Sequence, residues 1–322
     1  MSISSYARAS DTGKKRRRNE DSYVVAPPLF AVADGMGGAQ AGEVASKLAA
    51  AALEETDPGA LPGPEKVTSL IQEANRRVYE RASSDPATSG MGTTMTVALV
   101  EADRVTIGHV GDSRAYLVRD GHLEQLTEDH SLVNELLKSG KLSREEAGTH
   151  PQRSVITRAV GTDPDVDVDA FTVGADPGDL FLLCSDGLTD MVGDDDILDV
   201  VERYRDDLDR VTKALVSAAN RGGGEDNITV IAFAIAADGD ETAQMPAVVD
   251  EDTLENIPLP PVDTMVVPPE DVEDVFLEPG SAEAAAVGKK QPISPAARVR
   301  LVLTMLVLLG VAAVLLVWGL VR

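Results

Sequence analysis

Short blocks of apolar residues, bounded by turn-forming residues, recur along the first 236 positions of the chain. Blocks of four to eight residues that alternate or run continuously are typical of β-strands. They predict strands over residues 2–10, 23–27, 29–34, 92–100, 104–110, 114–119, 122–126, 168–173, 179–184 and 228–234. The four strands between residues 92 and 126 are predicted to form one antiparallel series, and the Asp120-Gly121 pair predicts a tight hairpin between the last two.

A second pattern, with apolar residues three or four positions apart, predicts helices. It covers residues 39–55, 64–84, 131–139, 143–148, 194–204 and 207–220. In the second of these, Leu70, Ala74, Val78 and Arg81 fall on one face. Because the strands come as hairpins and the helices in pairs, the pattern indicates an α+β sandwich and not a parallel sheet. The polar, weakly periodic stretch 139–158 predicts a mobile surface flap.

The C-terminal quarter of the chain has a different pattern. Residues 237–297 are rich in Pro, Asp and Glu and almost free of aromatic residues, which predicts a disordered linker. Residues 301–321 carry no charge and are long enough to cross a bilayer, which predicts a transmembrane helix, the alternative being a buried core helix. Lys289, Lys290, Arg298 and Arg300 precede this span and Arg322 alone follows it. The excess of positive charge predicts a single-pass protein of the cell membrane whose preceding chain is cytoplasmic.

Composition narrows the function class. The chain has 29 Lys and Arg residues against 54 Asp and Glu residues, a formal net charge of −25, which argues against a nucleic-acid partner. The single cysteine, Cys184, lies among apolar residues and is expected to be a buried structural thiol. The N-terminal stretch lacks the apolar core of a secretory signal, which favours the cytoplasm for the N-terminal body.

Carboxylates mark the ends of several predicted strands. Asp34, Asp112 and Asp186 follow apolar runs, and Asp226 precedes one. With no Cys or His partner nearby, this set predicts an oxygen-only site for hard cations such as Mg²⁺ or Mn²⁺. The basic run 14–18 stands directly before Asn19-Glu20-Asp21. It is either a solvated turn, a nonspecific basic patch, or part of a shared phosphate and metal site.

Six motifs in sequence order give the chain a family resemblance. They are Arg16-x-x-Asn19-Glu20-Asp21, Asp34-Gly35-Met36-Gly37-Gly38, Gly92-Thr93-Thr94, Gly111-Asp112-Ser113-Arg114, Ser185-Asp186-Gly187 and Asp226-Asn227. Together they resemble the metal-dependent PPM (type 2C) Ser/Thr protein phosphatases in their compact bacterial form. The resemblance implies a catalytic domain over residues 6–236. Its expected fold is an αββα sandwich of two antiparallel sheets flanked by helix pairs.

The resemblance also implies roles for individual residues. Asp34 is expected to bridge two Mn²⁺ or Mg²⁺ ions, with Asp186 and Asp226 completing one of them and the Gly35 carbonyl binding the other. Asp21 would act through water, and Asp112, together with Asp186, matches the position of a third ion in bacterial members. Arg16 matches the phosphate-binding arginine, with Arg17 and Arg18 as alternatives. In some members a His follows the DG pair as a proposed general acid; here that position is Met36, and His130 is either a stand-in or a structural histidine.

These features predict a tail-anchored phosphatase that hydrolyses phosphoserine and phosphothreonine by direct attack of metal-activated water. The expected partners are membrane Ser/Thr kinases and FHA-type proteins, and the flap is expected to tune substrate choice. Two alternatives stay open: a pseudophosphatase that binds without turnover, and a regulatory phosphatase that acts on one anti-sigma-type partner. Thr242, Thr253 and Thr264 recur every 11 residues, by compositional chance or as phosphorylation sites.

Overall fold

The fold is taken from a computed structural model that describes residues 2–37, 41–57, 59–143, 146–147 and 150–236. All of them belong to one compact unit. The strands are β1 (Ser2–Asp11), β2 (Asp21–Ala26), β3 (Leu29–Met36), β4 (Gly92–Thr93), β5 (Met95–Glu101), β6 (Arg104–Val110), β7 (Arg114–Arg119), β8 (His122–Gln125), β9 (Asp169–Gly174), β10 (Leu180–Cys184) and β11 (Ile228–Ala236). The helices are α1 (Ala41–Glu55), α2 (Gly63–Ser84), α3 (Leu132–Lys138), α4 (Asp186–Thr189), α5 (Asp194–Arg203) and α6 (Leu208–Gly222). A 3-10 turn, Pro86–Thr88, follows α2.

The strands form two antiparallel sheets, as predicted. The first sheet has the order β1-β11-β10-β7-β8, and the second has the order β2-β3-β5-β6-β9, with β4 paired to β3. Strands β2 and β3 pair so that Asp21 lies opposite Asp34. The hairpin between β7 and β8 turns at Asp120 and Gly121, whose φ angles of 51° and 73° are those of the predicted tight turn.

Three apolar layers hold the sheets and helices together. Alternate residues of each central strand serve two layers, because successive side chains of a strand point to opposite faces. In β3, Phe30 and Val32 pack between the sheets, whereas Ala31 and Ala33 pack under α1 and α2. In β10, Phe181 packs between the sheets and Leu182 under α5 and α6. This burial on both faces explains why the central strands read as continuous apolar runs, and it confirms the helix–sheet–sheet–helix order.

Four sequence-based expectations need correction. Strand β3 does not end at Asp34 but continues to Met36, because Gly35 and Met36 pair with β4. The predicted strand 92–100 is divided at Thr94 into β4 and β5. Strands β6 and β7, neighbours in sequence, lie in different sheets. On α2 the apolar face is buried as expected, but Arg81 is exposed and pairs with Asp85 at 3.0 Å.

Several predictions fall on residues outside the described ranges. These are the linker 237–297 with its three threonines, the membrane span 301–321, and part of the helix predicted over 143–148. Within the described part of the chain, no helix is both long and apolar enough to cross a membrane.

Candidate active site

Asp34 lies at the point where the apolar part of β3 gives way to glycine. Its backbone N–H donates to Thr94 Oγ1 at 2.9 Å, and its carbonyl accepts from Thr93 Oγ1 at 2.8 Å and from Thr94 N at 2.9 Å. With both backbone groups paired, the main chain is fixed and the half-buried carboxylate is free to face other residues.

Asp21 faces Asp34 across the β2–β3 pair and reaches the other sheet. Its Oδ2 accepts from Ser185 Oγ at 2.9 Å and from Thr229 Oγ1 at 2.7 Å, and both of those hydroxyls lie at the ends of strands in the first sheet. Only 8% of Asp21 is exposed. Asp21 therefore ties the two sheets together at the edge where the other carboxylates lie.

Asp186 and Asp226 are brought to the same edge by adjacent strands. Asp186 opens α4 directly after β10, and Asp226 precedes β11, which is paired with β10. The two loops touch closely, since a Cβ on Gly187 would lie 2.0 Å from the carbonyl oxygen of Asn227. Glycine at 187 is thus needed for the loops to approach.

Asp112 joins the group from the turn after β6. Gly111, before it, has a φ of 113°, and a Cβ there would lie 2.6 Å from Thr94 Cβ. This turn packs against Thr94, the residue that hydrogen-bonds the backbone of Asp34. Asp112 is 9% exposed, so its carboxylate is directed into the protein and not into solvent.

The electrostatics show that the five carboxylates share one site. Desolvation, followed by the charges of Asp21, Asp186, Asp112 and Asp226, raises the pKa of Asp34 well above its ordinary value. Burial likewise raises the pKa of Asp186 well above the usual range, that of Asp21 to about 6 and that of Asp112 to about 7. Like charges in a desolvated cleft each disfavour ionisation of the others. The protein thus places several carboxylates near one another, and bound cations would offset their negative charge.

Three buried oxygens of this group lack a hydrogen-bond partner within the described residues: Asp21 Oδ1, Asp112 Oδ1 and Asp186 Oδ1. Buried polar atoms are nearly always satisfied, so unpaired carboxylate oxygens suit a divalent cation. Within the described ranges, however, no three His, Cys, Asp or Glu side chains by themselves form a group that could hold an ion. Backbone carbonyl and water oxygens would have to complete the coordination of any ion held there, a mixture of ligands that suits Mg²⁺.

Gly35 places a backbone carbonyl beside this group. Its N–H donates to the carbonyl of Glu20 at 3.2 Å. A Cβ on Gly35 would lie 2.2 Å from the carbonyl oxygen of Gly42, and one on Gly42 would lie 2.6 Å from that of Gly35. Only glycine at both positions allows α1 to start this close to β3.

Arg16 reaches the carboxylates from the loop after β1. Its Nη2 lies 2.6 Å from Asp226 Oδ2, and half of the side chain is exposed. Burial lowers the pKa of Arg16, but the charge and hydrogen bond of Asp226, together with the charges of Asp34 and Glu20, raise it above its ordinary value. Arg18 instead pairs with Glu43 at 3.7 Å. Of the three consecutive arginines, Arg16 is thus the one that the structure brings to the site.

One residue at the site, Asp190, was missed from the sequence, and the role of another, Asn227, was not predicted. Asp190, four residues after Asp186, adds its charge to those of Asp112 and Asp186, and burial raises its own pKa. Its spacing of one helical turn from Asp186 was the available signal. Asn227, 3% exposed, donates to the carbonyls of Thr12 and Arg18 at 3.0 and 2.8 Å. Nothing in the sequence indicates that Asn227 holds a loop more than 200 residues away.

The contacts of His130 favour the second of the two interpretations, a structural histidine. Its Nδ1 accepts from the N–H of Gly111 at 3.0 Å, and Nε2 faces Asp169 Oδ2 at 3.2 Å. Burial lowers the pKa of His130. Both ring nitrogens therefore have hydrogen-bond partners within the protein. Cys184 is buried as predicted, and burial raises the pKa of its thiol to about 12.

The described part of the flap contacts the site. Arg153 lies 3.5 Å from Asp190 and 4.0 Å from Glu225, and Arg158 pairs with Asp169 at 2.6 Å. The flap therefore adjoins the rim of the carboxylate group. Its predicted mobility stays a prediction.

Comparison with known proteins assigns the domain. The sequence model of the family described as protein phosphatase 2C matches residues 14–221. The serine/threonine phosphatase stp of Listeria welshimeri is 42% identical over 233 residues, which are 69% of this chain and 92% of that protein. The serine/threonine protein phosphatase PstP of Mycobacterium tuberculosis is 42% identical over 229 residues, 70% of this chain and 44% of that protein.

Solved structures agree with this similarity. The crystal structure of the Mycobacterium tuberculosis phosphatase PstP superposes with a TM-score of 0.69 at 40% identity, covering 73% of this chain and 100% of that one. A structure of the PstP catalytic domain in complex with two manganese ions superposes with a TM-score of 0.67 at 38% identity, covering 73% and 99% of the two chains.

Proposed function

Since the chain belongs to the protein phosphatase 2C family and is a metal-dependent Ser/Thr protein phosphatase, we propose that its ions and the substrate phosphate are held by the residues of the carboxylate group and by Arg16. The observation that carries this proposal is that the charges of four other carboxylates act on Asp34, and that three of these five residues have a buried carboxylate oxygen without a partner within the described residues. Divalent cations would offset the negative charge of this group.

In this proposal each residue has a role that follows from its position in the carboxylate group. Asp34, at the centre of the group, would be shared between two Mn²⁺ or Mg²⁺ ions. Asp186 and Asp226, held on adjacent loops, would help to hold one of them, and the Gly35 carbonyl would help to hold the other. Asp21, fixed by two hydroxyls through Oδ2, acts through an ordered water. In addition, Asp112 and Asp186 together form a third cation position.

The chemistry is hydrolysis of a phosphate monoester. When bound, the cations supply a nucleophile at neutral pH and positive charge for the ester oxygens. Arg16 binds two phosphate oxygens through its planar fork, for which it must exchange its contact with Asp226. Met36 carries no titratable proton, so protonation of the leaving oxygen falls to water or to a residue other than Met36.

Cation binding tests this assignment independently of turnover. We expect titration of the full chain with Mn²⁺, followed by calorimetry, to show two or three ions. Asp34→Asn and Asp186→Asn should each bind fewer ions or bind them at least tenfold more weakly. Asp199→Asn, an exposed neutralisation on α5, is the matched control. Equal binding by all four proteins would refute the assignment.

The substrates of this proposal are phosphorylated membrane Ser/Thr kinases and FHA-type proteins. The uncharged span 301–321 and the basic residues before it support a membrane tether with the catalytic domain on the cytoplasmic side. Tethering raises the effective concentration of enzyme toward substrates in the same membrane without new contacts. Recovery of the full chain entirely in the soluble fraction of cells would contradict the tether.

Two regulatory elements complete the proposal. The flap 139–158 tunes substrate choice, supported by the contact of Arg153 with Asp190 at the site rim. Exchange of the flap without any change of selectivity among phosphopeptides would contradict this.

Thr242, Thr253 and Thr264 are phosphorylated and bind a phosphothreonine-reading partner, supported by their 11-residue spacing. Mass spectrometry that finds all three unmodified in kinase-active cells would exclude it.

A further inference from the structure

The loop of five consecutive cations, residues 14–18, which we call the basic loop, is held against the active site by its backbone. The N–H groups of Lys14 and Lys15 donate to the carbonyl of Gly224 at 2.7 and 3.1 Å. Gly13, at a φ of 75°, packs so tightly that a Cβ there would lie 2.1 Å from the carbonyl oxygen of Asp226. The loop thus lies directly on the segment that carries Asp226.

Asn227 fixes both ends of the basic loop. Its Nδ2 donates to the carbonyls of Thr12 and Arg18, and its Oδ1 accepts from the N–H of Glu20 at 2.8 Å. Asn227 is 3% exposed, so these bonds are shielded from water. The loop therefore has a defined main chain and presents its side chains from fixed positions, unlike a solvated basic tail.

The side chains of the basic loop differ in what they contact. Arg16 binds Asp226, and Arg18 pairs with Glu43. Lys14, Lys15 and Arg17 are exposed, and within the described residues their side chains make no hydrogen bond or salt bridge. In a chain of net charge −25, three unneutralised cations within two residues of Arg16 are a local exception.

We propose that the basic loop selects phosphoprotein segments with further negative charge beside the scissile phosphate, either a second phosphate or acidic side chains. This inference rests on the proposed function, in which Arg16 holds the scissile phosphate. An extended peptide advances about 3.3 Å per residue, so anions one to four residues from that phosphate come within reach of long cationic side chains. A second phosphate carries about −1.5 to −2 charges and suits the guanidinium fork of Arg17.

The position of the loop favours a phosphopeptide over other anionic partners. A basic run can also bind an anionic membrane. Here, however, the backbone of the run is fixed to the residues next to Asp226, and its central member binds a carboxylate of the site. The charges of the basic loop therefore act on the substrate that is bound in the active site. Each exposed pair changes a binding constant by about two- to fivefold, so three cations together give about tenfold or more.

The experiment compares three phosphothreonine peptides of one sequence, with flanks that are neutral, contain two glutamates, or contain a second phosphothreonine. We expect the full chain with Mn²⁺ to give a kcat/KM about tenfold or more higher for both charged peptides than for the neutral one. The variant Lys14→Gln/Lys15→Gln/Arg17→Gln should lose most of this preference. Its turnover of p-nitrophenyl phosphate, which has no flanking charge, should stay within about twofold of wild type.

A matched variant controls for net charge. Lys66→Gln/Arg203→Gln/Lys213→Gln removes three cations from α2, α5 and α6 and should keep the preference. Equal kcat/KM for all three wild-type peptides, or equal loss in both triple variants, would overturn the proposal. So would a basic-loop variant that keeps its peptide preference but loses binding to phosphatidylserine vesicles.

Two readings refine the outcome. A preference for the second phosphate alone, or for glutamate as well, separates phosphate recognition from general anion recognition, and either supports the loop. The preference should shrink as salt approaches about 1 M, where the screening length is about 3 Å.

If wild type does not turn over p-nitrophenyl phosphate, the proposed function fails. Fluorescence anisotropy of peptide binding then still tests the loop, since equal affinities for the three peptides would overturn it.

Discussion

Asp21→Asn should stabilise the metal-free protein, although it removes a charge from the active site. Asp21 is 8% exposed, and its Oδ1 has no partner within the described residues. An asparagine keeps an oxygen for the hydroxyls of Ser185 and Thr229 and turns its amide toward the remaining carboxylates. The substitution thus removes one desolvated negative charge and leaves the two hydroxyl hydrogen bonds in place.

The magnitude follows from the pKa of Asp21. Burial raises this pKa from 3.8 to about 6, which corresponds to about 3 kcal/mol of stability lost when the group ionises. Water that enters around Oδ1 lowers this cost, so we expect a gain of about 2 kcal/mol. For a domain of this size that is about 4–8 °C in Tm.

The sign of the pH dependence is fixed by the raised value. The folded state holds its proton more tightly than the unfolded state, so wild type loses this stability as pH rises from about 4 to about 6. The advantage of Asp21→Asn should therefore be complete at pH 8 and about a third as large at pH 4.5. In excess Mn²⁺, wild type should gain more stability than the variant, because bound cations offset the charge.

The assay is thermal unfolding of the full chain in EDTA at both pH values, followed by far-UV circular dichroism. The single tryptophan, Trp318, lies outside the described residues, so the assay does not rely on its fluorescence. Asp199→Asn, which neutralises an exposed carboxylate, is the control. A variant less stable than wild type at pH 8, or a shift of equal size at pH 4.5, would refute the reasoning.

Three further substitutions test the supports of the site. Gly187→Ala should cost more than about 2 kcal/mol by urea unfolding, because its Cβ meets a backbone oxygen, whereas Gly193→Ala, with nothing within 4 Å, should cost under about 1 kcal/mol. Asn227→Ala should raise the KM for a phosphopeptide about tenfold with a smaller change in kcat, because it frees the loop that carries Arg16; steady-state kinetics showing the opposite split would contradict this. His130→Leu should raise the Mn²⁺ concentration needed for half-maximal activity several-fold, whereas His130→Asn, which keeps an acceptor for the N–H of Gly111, should restore most of it. Equal effects of the two His130 variants would show that the contact with Gly111 does not matter.

Much of the fold could be predicted because its local patterns and its packing agree. Central strands such as β3 and β10 are buried on both faces, which leaves continuous apolar runs in the sequence. The pairing of strands between distant segments was not predictable in the same way. The extension of β3 to Met36 depends on β4, more than 50 residues later, and the assignment of β6 and β7 to different sheets depends on the whole sandwich.

The site shows the same division. The positions of Asp34, Asp112, Asp186 and Asp226 at strand ends were sufficient to predict a shared carboxylate group, and their mutual pKa effects agree with it. The role of Asn227 was not predictable, because its partners lie in a loop that only the tertiary fold brings near. The mobile flap, the linker and the membrane span stay predictions.

The most direct test of the account is phosphate release from a phosphothreonine peptide by the full chain, with and without Mn²⁺, beside Asp34→Asn and Asp186→Asn. We expect activity that requires the added metal and falls by at least a thousandfold in both variants, with far-UV spectra unchanged. Activity that persists in EDTA, or in either variant, would contradict the central role of the carboxylate group. Metal binding without any turnover by wild type would identify a pseudophosphatase instead.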